Sequence, residues 1–593
     1  MASEIIVLSW LSEQVDVLRF IKLANLMGIS TRLIIVDSES SVLNRLAEFN
    51  LEESLCVAAS SDILSKILFA NRFNEHFKIT FFRMIAFLFV FGFSGKSSEG
   101  PLLRCLTDGA LTHTEQTKFN ARYEVSKDSR RFCQQLAGLS FGPVNPENDL
   151  TFVTRNHDNN IARYILIQDR PFLVEIQRNK CRIILVGSRE IIDVDEPVAQ
   201  VEGIKPSFSR IVPAILFIRN VFGEKCWHNK RHYASLIIDD PLLKERYGFL
   251  NYRELLKTMD QHDFATTIAF IPWNYRRTQR AVAQLFRERR DRFSICVHGC
   301  DHKEAEFGST DHGELVGLIK TANQRMNFHE KATGIRFEKI MVFPQGVFST
   351  KAMVLLKNDG YLAAINSTPF AVNEDASKLI IRDFFEIPVL AYGSFPLFVR
   401  RYPKDLAEFA LDLLLGKPLL IVEHHGYFKT GLGKLIYFVK QVKRLEPNIR
   451  WGPLGTILNN TYLEREDEKG IRHVKFYTPT LQISNESNSK RQYLLYKREP
   501  RGATIAKVKI NGESLPFLFE DDVLCIQVDV RARSTAMLEV EYKESLPDIP
   551  LKTSYSDYIK VFFRRYLSEL RDNHLSKNDF LFDISQKLKK LLF

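Results

Sequence analysis

The chain has 593 residues, 45% hydrophobic and 26% charged, with a formal net charge of +11. That composition excludes a disordered or low-complexity chain and suits about three or four domains, each with its own core. Eight cysteines without a C-x-x-C pair exclude a disulfide scaffold and fit free thiols in a reducing compartment. Lys and Arg recur in small clusters such as Arg276-Arg277, 287–292 and Arg400-Arg401. No long basic run concentrates them, so a specific nucleic-acid partner is not expected.

Residues 1–70 predict a Rossmann-like βαβ domain. A strand at 5–8, an amphipathic helix at 15–27 closed by Gly28, a strand at 31–36 ending on Asp37 and a third strand at 54–58 follow one another. The loop after Leu8 lacks the glycine fingerprint of a dinucleotide site, and residues 1–9 lack the basic start of a secretory signal. Residues 71–205 predict a second α/β domain. Its apolar stretch 84–93 is far short of the roughly 20 residues that span a bilayer and reads as a buried strand or helix-strand element. A polar helical region at 115–139 and a meander at 161–167, 172–176 and 181–186 complete it. The arrangement suggests an amidotransferase-like domain without its nucleophile, because Cys105 and Cys133 lack the glycine-flanked turn such a residue needs.

In residues 206–464, three apolar runs far apart in the chain end in groups that bind metal or move protons. These ends are Asp239-Asp240-Pro241, His298 with His302 four residues on, and His424-His425. An apolar run that stops abruptly at such groups reads as a buried parallel strand with chemistry at its C-terminal tip. Each piece alone reads better as a turn, a loop or a satisfied histidine pair; together, in chain order and each after an apolar run, they read as one site. Two imidazoles and a carboxylate suit Zn²⁺ or another borderline divalent ion. Asp239 and Asp240 point to opposite sides of an extended backbone, so one can ligate metal while the other serves as a base. Cys296 and Cys300 bracket His298 and read as buried free thiols. Further strands at 265–271, 339–343 and 361–365, with a basic helix at 276–290, fit repeated βα units. Trp273, Asn274 and Tyr427 are candidate substrate contacts. Glu306, Asp311 and His312 read as solvated loop residues.

At these positions, together with Phe343-Pro344-Gln345-Gly346, the sequence resembles the NodB-type polysaccharide deacetylases, carbohydrate esterase family four, over about residues 206–460. The resemblance implies a distorted (β/α) barrel and a divalent metal, zinc first with cobalt or nickel as alternatives, used to remove N- or O-acetyl groups from sugars. It makes Asp239 the catalytic base and Asp240, His298 and His302 the metal ligands. The late general acid falls on His424, with His425 as a rival. Pro344, Gln345 and Gly346 join the substrate contacts. Two positions depart from the family pattern: Pro241 follows Asp240 directly, and Phe343 stands where the family has an arginine that orients the base.

Residues 465–545 alternate in short runs around an Asn511-Gly512 turn and predict a β-sandwich. Residues 546–593 predict two helices, the last closing on the basic segment 587–593. Such helices can dock on the protein itself, on a protein partner or on an anionic membrane, self-docking being the simplest. The expected protein is an α/β multidomain, cytoplasmic hydrolase, with the inner membrane surface as a peripheral site. Its expected role is to deacetylate a carbohydrate, anionic or lipid-linked, in surface-polysaccharide or glycolipid assembly. The alternatives are an inactive glycan-binding scaffold and another hydrolase of the same barrel, cutting a glycosidic or amide bond.

Overall fold

The computed structural model describes residues 3–10, 14–36, 42–43, 45–46, 48, 54–69, 75–155, 161–198, 203–372, 379–500, 505–543, 546–547 and 555–577. Asp37, part of the loop after Leu8 and the basic segment 587–593 lie outside the described residues. The chain forms two compact units. One comprises Met1–His228, Leu379–Phe385 and Glu464–Arg472; the other comprises Asn229–Lys378, Glu386–Leu463 and His473–Phe593.

The first unit is built on one nine-stranded sheet. Thr31–Ile35, Ile5–Ser9, Leu55–Ser60, Ile85–Phe91 and Cys181–Val186 run parallel, and Arg170–Arg178 and Ile161–Ile167 continue antiparallel. The expected boundary near residue 70 therefore falls inside a continuous sheet. The apolar stretch 84–93 is the strand Ile85–Phe91, following the helix Glu75–Met84. The polar helical region expected at 115–139 is confined to the short turns Lys127–Ser129, Arg130–Cys133 and Gln134–Leu136. Its start belongs to the strand Leu111–Gln116, which pairs with Leu150–Thr154, and its middle to the short strand Tyr123–Val125. One face of each is polar, and that polarity hid the period-two pattern. The helix Phe208–Phe222 also belongs to this unit, stacking Phe217 on Phe89 at 4.7 Å between ring centroids. The first parallel strand of the second unit, Tyr233–Asp239, follows it.

The second unit carries an eight-stranded sheet. Along it lie Leu397–Val399, Ala363–Asn366, Phe337–Val342, Phe293–His298, Thr266–Phe270, Tyr233–Asp239 and Leu419–His424, all parallel. Every residue of Tyr233–Asp239 is buried, which is why this central strand reads as an unbroken apolar run. The strand latest in sequence lies beside the earliest, with Asp239 opposite both Ala269 and His424. That single topological step brings the Asp-Asp and His-His tips to one level. Further along, Thr480–Asn485, Ser534–Tyr542, Ile505–Ile510 and Glu513–Leu515 pair antiparallel, as do Arg491–Arg498, Val523–Val530 and Leu518–Glu520. Both sets feed one core that includes Ile483, Leu495, Ile526 and Leu538. The helix Tyr555–Asn573 follows. No helix among the described residues is long and apolar enough to cross a membrane.

Candidate active site

Asp240, His298 and His302 offer ligand atoms that all lie within 4.8 Å of one another. One carboxylate oxygen, Asp240 Oδ1, faces both imidazoles, 3.4 Å from His298 Nε2 and 3.1 Å from His302 Nε2. The His298 Nδ1 lies 2.9 Å from the Val342 carbonyl. A hydrogen there donates to that carbonyl and leaves the Nε2 lone pair facing the carboxylate. A lone pair turned toward a carboxylate needs a cation between them, either a proton or a metal, so this donor set fits a divalent ion. Burial raises the Asp240 carboxyl, but hydrogen bonds and charge from His298 and His302 outweigh it and hold the group well below the usual carboxylate range. Asp240 itself sits at φ 78°, a left-handed conformation that turns its carboxylate away from the course of the strand.

The loop after His298 is fixed from beneath. Gly299 has φ 67°, and a Cβ there would lie 2.1 Å from Glu306 Oε1 and 2.5 Å from Pro344 Cγ, so only glycine fits. The buried Glu306 carboxylate accepts the backbone N–H groups of Cys300 (2.8 Å), Asp301 (3.1 Å), His302 (3.1 Å) and Lys303 (3.2 Å). This corrects the solvated reading of Glu306: it shapes the turn that presents His302, itself at φ 56°. Asp311 caps the helix His312–Thr333, while His312 is exposed. Neither cysteine joins the metal group: burial pushes the thiols of Cys296 and Cys300 up, and Cys300 lies beside Arg325.

Asp239 faces the other way and is buried. Its Oδ1 accepts a 2.7 Å hydrogen bond from Arg400 Nη1, and its Oδ2 lies 4.0 Å from His424 Nε2. Burial raises the Asp239 carboxyl; the Arg400 guanidinium and His298 more than offset this and hold it below its ordinary value. Arg400 was noted in sequence only as part of a charge cluster. The signal for it was present, an apolar run 395–399 ending on a charged residue like the other strand tips. Phe343, at the position of the family's arginine, is buried in aromatic packing against Phe348 and Phe307 at centroid distances of 5.1 and 5.7 Å.

The two neighbouring histidines separate. His424 has a side chain 44% exposed and lies on the Asp239 side, its ring parallel to Tyr402. His425 turns to the C-terminal helix, with Nε2 3.4 Å from Asp572 and its ring edge-on to Tyr247. Of the other residues singled out, Trp273 is buried and packs against Tyr558 and Phe562 of that helix. Asn274, also buried, accepts from Arg277 at 3.2 Å. Pro344 packs on Gly299, Gln345 accepts from the Ala305 N–H at 3.3 Å, and the Gly346 carbonyl accepts from Asn366, so this segment braces the ligand loop. Tyr427 is half-buried beside Phe428, and burial pushes its hydroxyl up to about 12.

No protein-family model and no curated protein sequence matches this chain. Among solved structures it is similar to Agd3, a carbohydrate deacetylase, at 9% identity over 92% of this chain and 99% of that one, with a TM-score of 0.42. A family 4 carbohydrate esterase from Streptomyces lividans is similar at 11% identity over 38% of this chain and 93% of that one, with a TM-score of 0.23. A CE4 family pseudoenzyme from Bacillus anthracis is similar at 12% identity over 39% of this chain and 66% of that one, with a TM-score of 0.25. Asp239-Asp240, His298, His302 and His424 thus stand at, or in the loops just beyond, the ends of strands of one parallel sheet.

Proposed function

We propose that the protein is a metal-dependent carbohydrate deacetylase that removes an N- or O-acetyl group from a sugar. The observation that carries this reading is the buried Asp239 carboxylate, held by Arg400 at 2.7 Å and facing His424 at 4.0 Å, immediately beside the Asp240, His298 and His302 group. A divalent ion held by those three residues, zinc before cobalt or nickel, would polarise the acetyl carbonyl and lower the pKa of water. Asp239 takes the proton of the attacking water, and Arg400 keeps that carboxylate ionised and aimed. His424, on the more open side, protonates the leaving nitrogen or oxygen. A carbon–oxygen bond to water forms, the bond from the acetyl carbon to the sugar breaks, and acetate and a free amine or hydroxyl result.

The inactive-scaffold alternative drew its force from Phe343 in place of an arginine. Arg400 supplies that guanidinium from another strand, which favours an active centre. All eight cysteines are free, which suits a cytoplasmic glycan precursor, nucleotide- or lipid-linked, in polysaccharide or glycolipid assembly. In this reading the N-terminal region is a non-catalytic Rossmann-like body. Residues 465–545 form a β-sandwich that binds glycan or packs on the barrel.

Metal analysis beside an acetate-release assay tests the proposal. The purified protein should hold about one divalent ion per chain, lost in the His298→Ala, His302→Ala double variant. Asp239→Asn should keep the ion and release no acetate from acetylated chitooligosaccharide. No ion in the parent protein sinks the mechanism; a bound ion with no acetate released from any acetylated sugar supports the scaffold.

A further inference from the structure

The helix Tyr555–Asn573 lies over the loops that follow the site strands. Asp572 accepts from the Tyr247 hydroxyl at 2.7 Å, and Asn573 accepts from the Gly248 N–H at 2.7 Å. Glu569 is held by Lys244 and Arg277. Arg564 Nη2 donates to the Asp301 carbonyl at 2.7 Å, next to the ligand His302. Val561 packs on Ile271 and Trp273. With the contact of Asp572 to His425 at 3.4 Å, these reach the loops after four different strands, three of which carry Asp239-Asp240, His298 and His424.

The helix buries three residues, Val561, Arg565 and Asp572. Their spacing, with Glu569, places them on one face. Val561 packs on the loop after Thr266–Phe270 and Asp572 reaches the loop after Tyr233–Asp239, so Arg565, on the same helix face between them, is turned toward these loops, with Tyr247 in electrostatic reach. Arg565 is only 7% exposed, its Nε has no hydrogen-bond partner, and it forms no ion pair among the described residues. The acids around it are already engaged. Asp572 is held by Tyr247 and Arg571, Glu569 by Lys244 and Arg277, Asp301 by Arg325, and Asp239 by Arg400. Asp240 faces its two histidines. A largely buried guanidinium whose Nε meets no acceptor is costly, and buried charges in native proteins are as a rule paired. The missing partner is an anion that enters from outside, and a planar guanidinium matches carboxylate or phosphate oxygens.

We propose that Arg565 is a specificity-determining residue that pairs with a carboxylate or phosphate group carried by the glycan close to its acetylated sugar. The site would thus be a deacetylase for anionic glycans, with the C-terminal helix as the wall that reads the charge. This inference rests on the deacetylase reading for its substrate, but the charge preference can be read by binding alone.

The test uses two oligosaccharides of equal length with the same acetylated sugar: neutral N-acetylchitotetraose and a hyaluronan tetrasaccharide, in which glucuronate alternates with N-acetylglucosamine. Binding by calorimetry and acetate release are measured with the full-length metal-loaded protein and with Arg565→Gln and Arg565→Lys. The parent should favour the charged tetrasaccharide by about tenfold or more, the worth of a charge-assisted hydrogen bond. Arg565→Gln should abolish that preference, while Arg565→Lys should keep part of it. N-acetylglucosamine 6-phosphate as competitor separates the two anions: displacement stronger than by glucuronate assigns phosphate, and the reverse assigns carboxylate. Charge-selective binding without acetate release from either sugar would sink the reaction and leave the anion subsite standing. Equal affinity for both sugars in the parent, no saturable binding of the charged one, or an undiminished preference in Arg565→Gln overturns the proposal.

Discussion

Two consecutive arginines leave the strand Leu397–Val399 in opposite directions. Arg400 turns in to Asp239, whereas Arg401 is held by Asp412 at 2.6 Å and Glu408 at 2.9 Å. Alternation along an extended backbone separates them, and each removes the isolated charge of a different carboxylate. In the proposed mechanism Arg400 acts through Asp239, which it holds at 2.7 Å, and not on the substrate. Arg400→Met is therefore expected to keep the bound ion while lowering acetate release about a hundredfold, because the base that it aims then loses most of its contribution. Arg400→Lys should recover part of it. Metal analysis and the acetate assay, run on the same samples, check both statements, and loss of the ion would instead make Arg400 a structural support for Asp240. The strand tip at Arg400 was legible in the sequence but its pairing with Asp239 was not, because the two lie 161 positions apart and a motif read along the chain carries no information on which strand tips meet. The separation of His424 from His425 was hidden for the same reason: the choice depends on Asp572 and Tyr247, both remote in sequence.

The strands of the parallel sheet were the legible elements. Burial on both faces leaves an apolar run with a polar stop, and the runs before Asp239, His298 and His424 are of this kind. Loops were less so, since their shape is set by single contacts such as the four N–H groups gathered by Glu306. Glu306→Ala leaves those donors without an acceptor and releases the turn that carries His302. The expected outcome is a metal affinity weakened by about ten- to a hundredfold, as for other residues that orient a ligand from behind. Chelator competition would measure it. Glu306→Gln, which retains one acceptor oxygen, should fall between the two, and an unchanged affinity in the alanine variant would mean that Pro344 and Gln345 suffice to hold the loop.

Composition said least about how stability responds to pH, because that depends on a few buried groups of opposite sign. His329 is buried, its Nε2 lies 2.9 Å from Thr278 Oγ1, and burial pushes its imidazole down to about 4. The unfolded chain takes up this proton near pH 6.5 and the folded protein does not until about 4. His329 therefore stabilises the fold above the unfolded value, and that contribution is lost as pH falls through this interval, by up to about 3 kcal/mol. Glu338 works in reverse. Burial raises its carboxyl from 4.5 to about 7, although the Gly455 N–H and the Ser294 hydroxyl favour the ionised form. The folded protein retains this proton while the unfolded chain releases it, so the contribution is complete below 4.5 and disappears as pH rises through 7. Partial exposure makes it the smaller of the two. The carboxylates held low by cations, such as Asp239 and Asp240, titrate beneath this range. Between pH 5 and 7 the two effects oppose each other, and Glu423, which burial likewise raises to about 7, adds to the second, so the two substitutions rather than the parent's slope separate them. His329→Gln removes the rising component, and its stability relative to the parent should improve steadily toward pH 5. Glu338→Gln removes the falling one, and its advantage should grow toward pH 7. Urea titrations of the three proteins at pH 5, 6 and 7 decide the matter: parallel curves would mean that neither group changes its affinity for protons on folding.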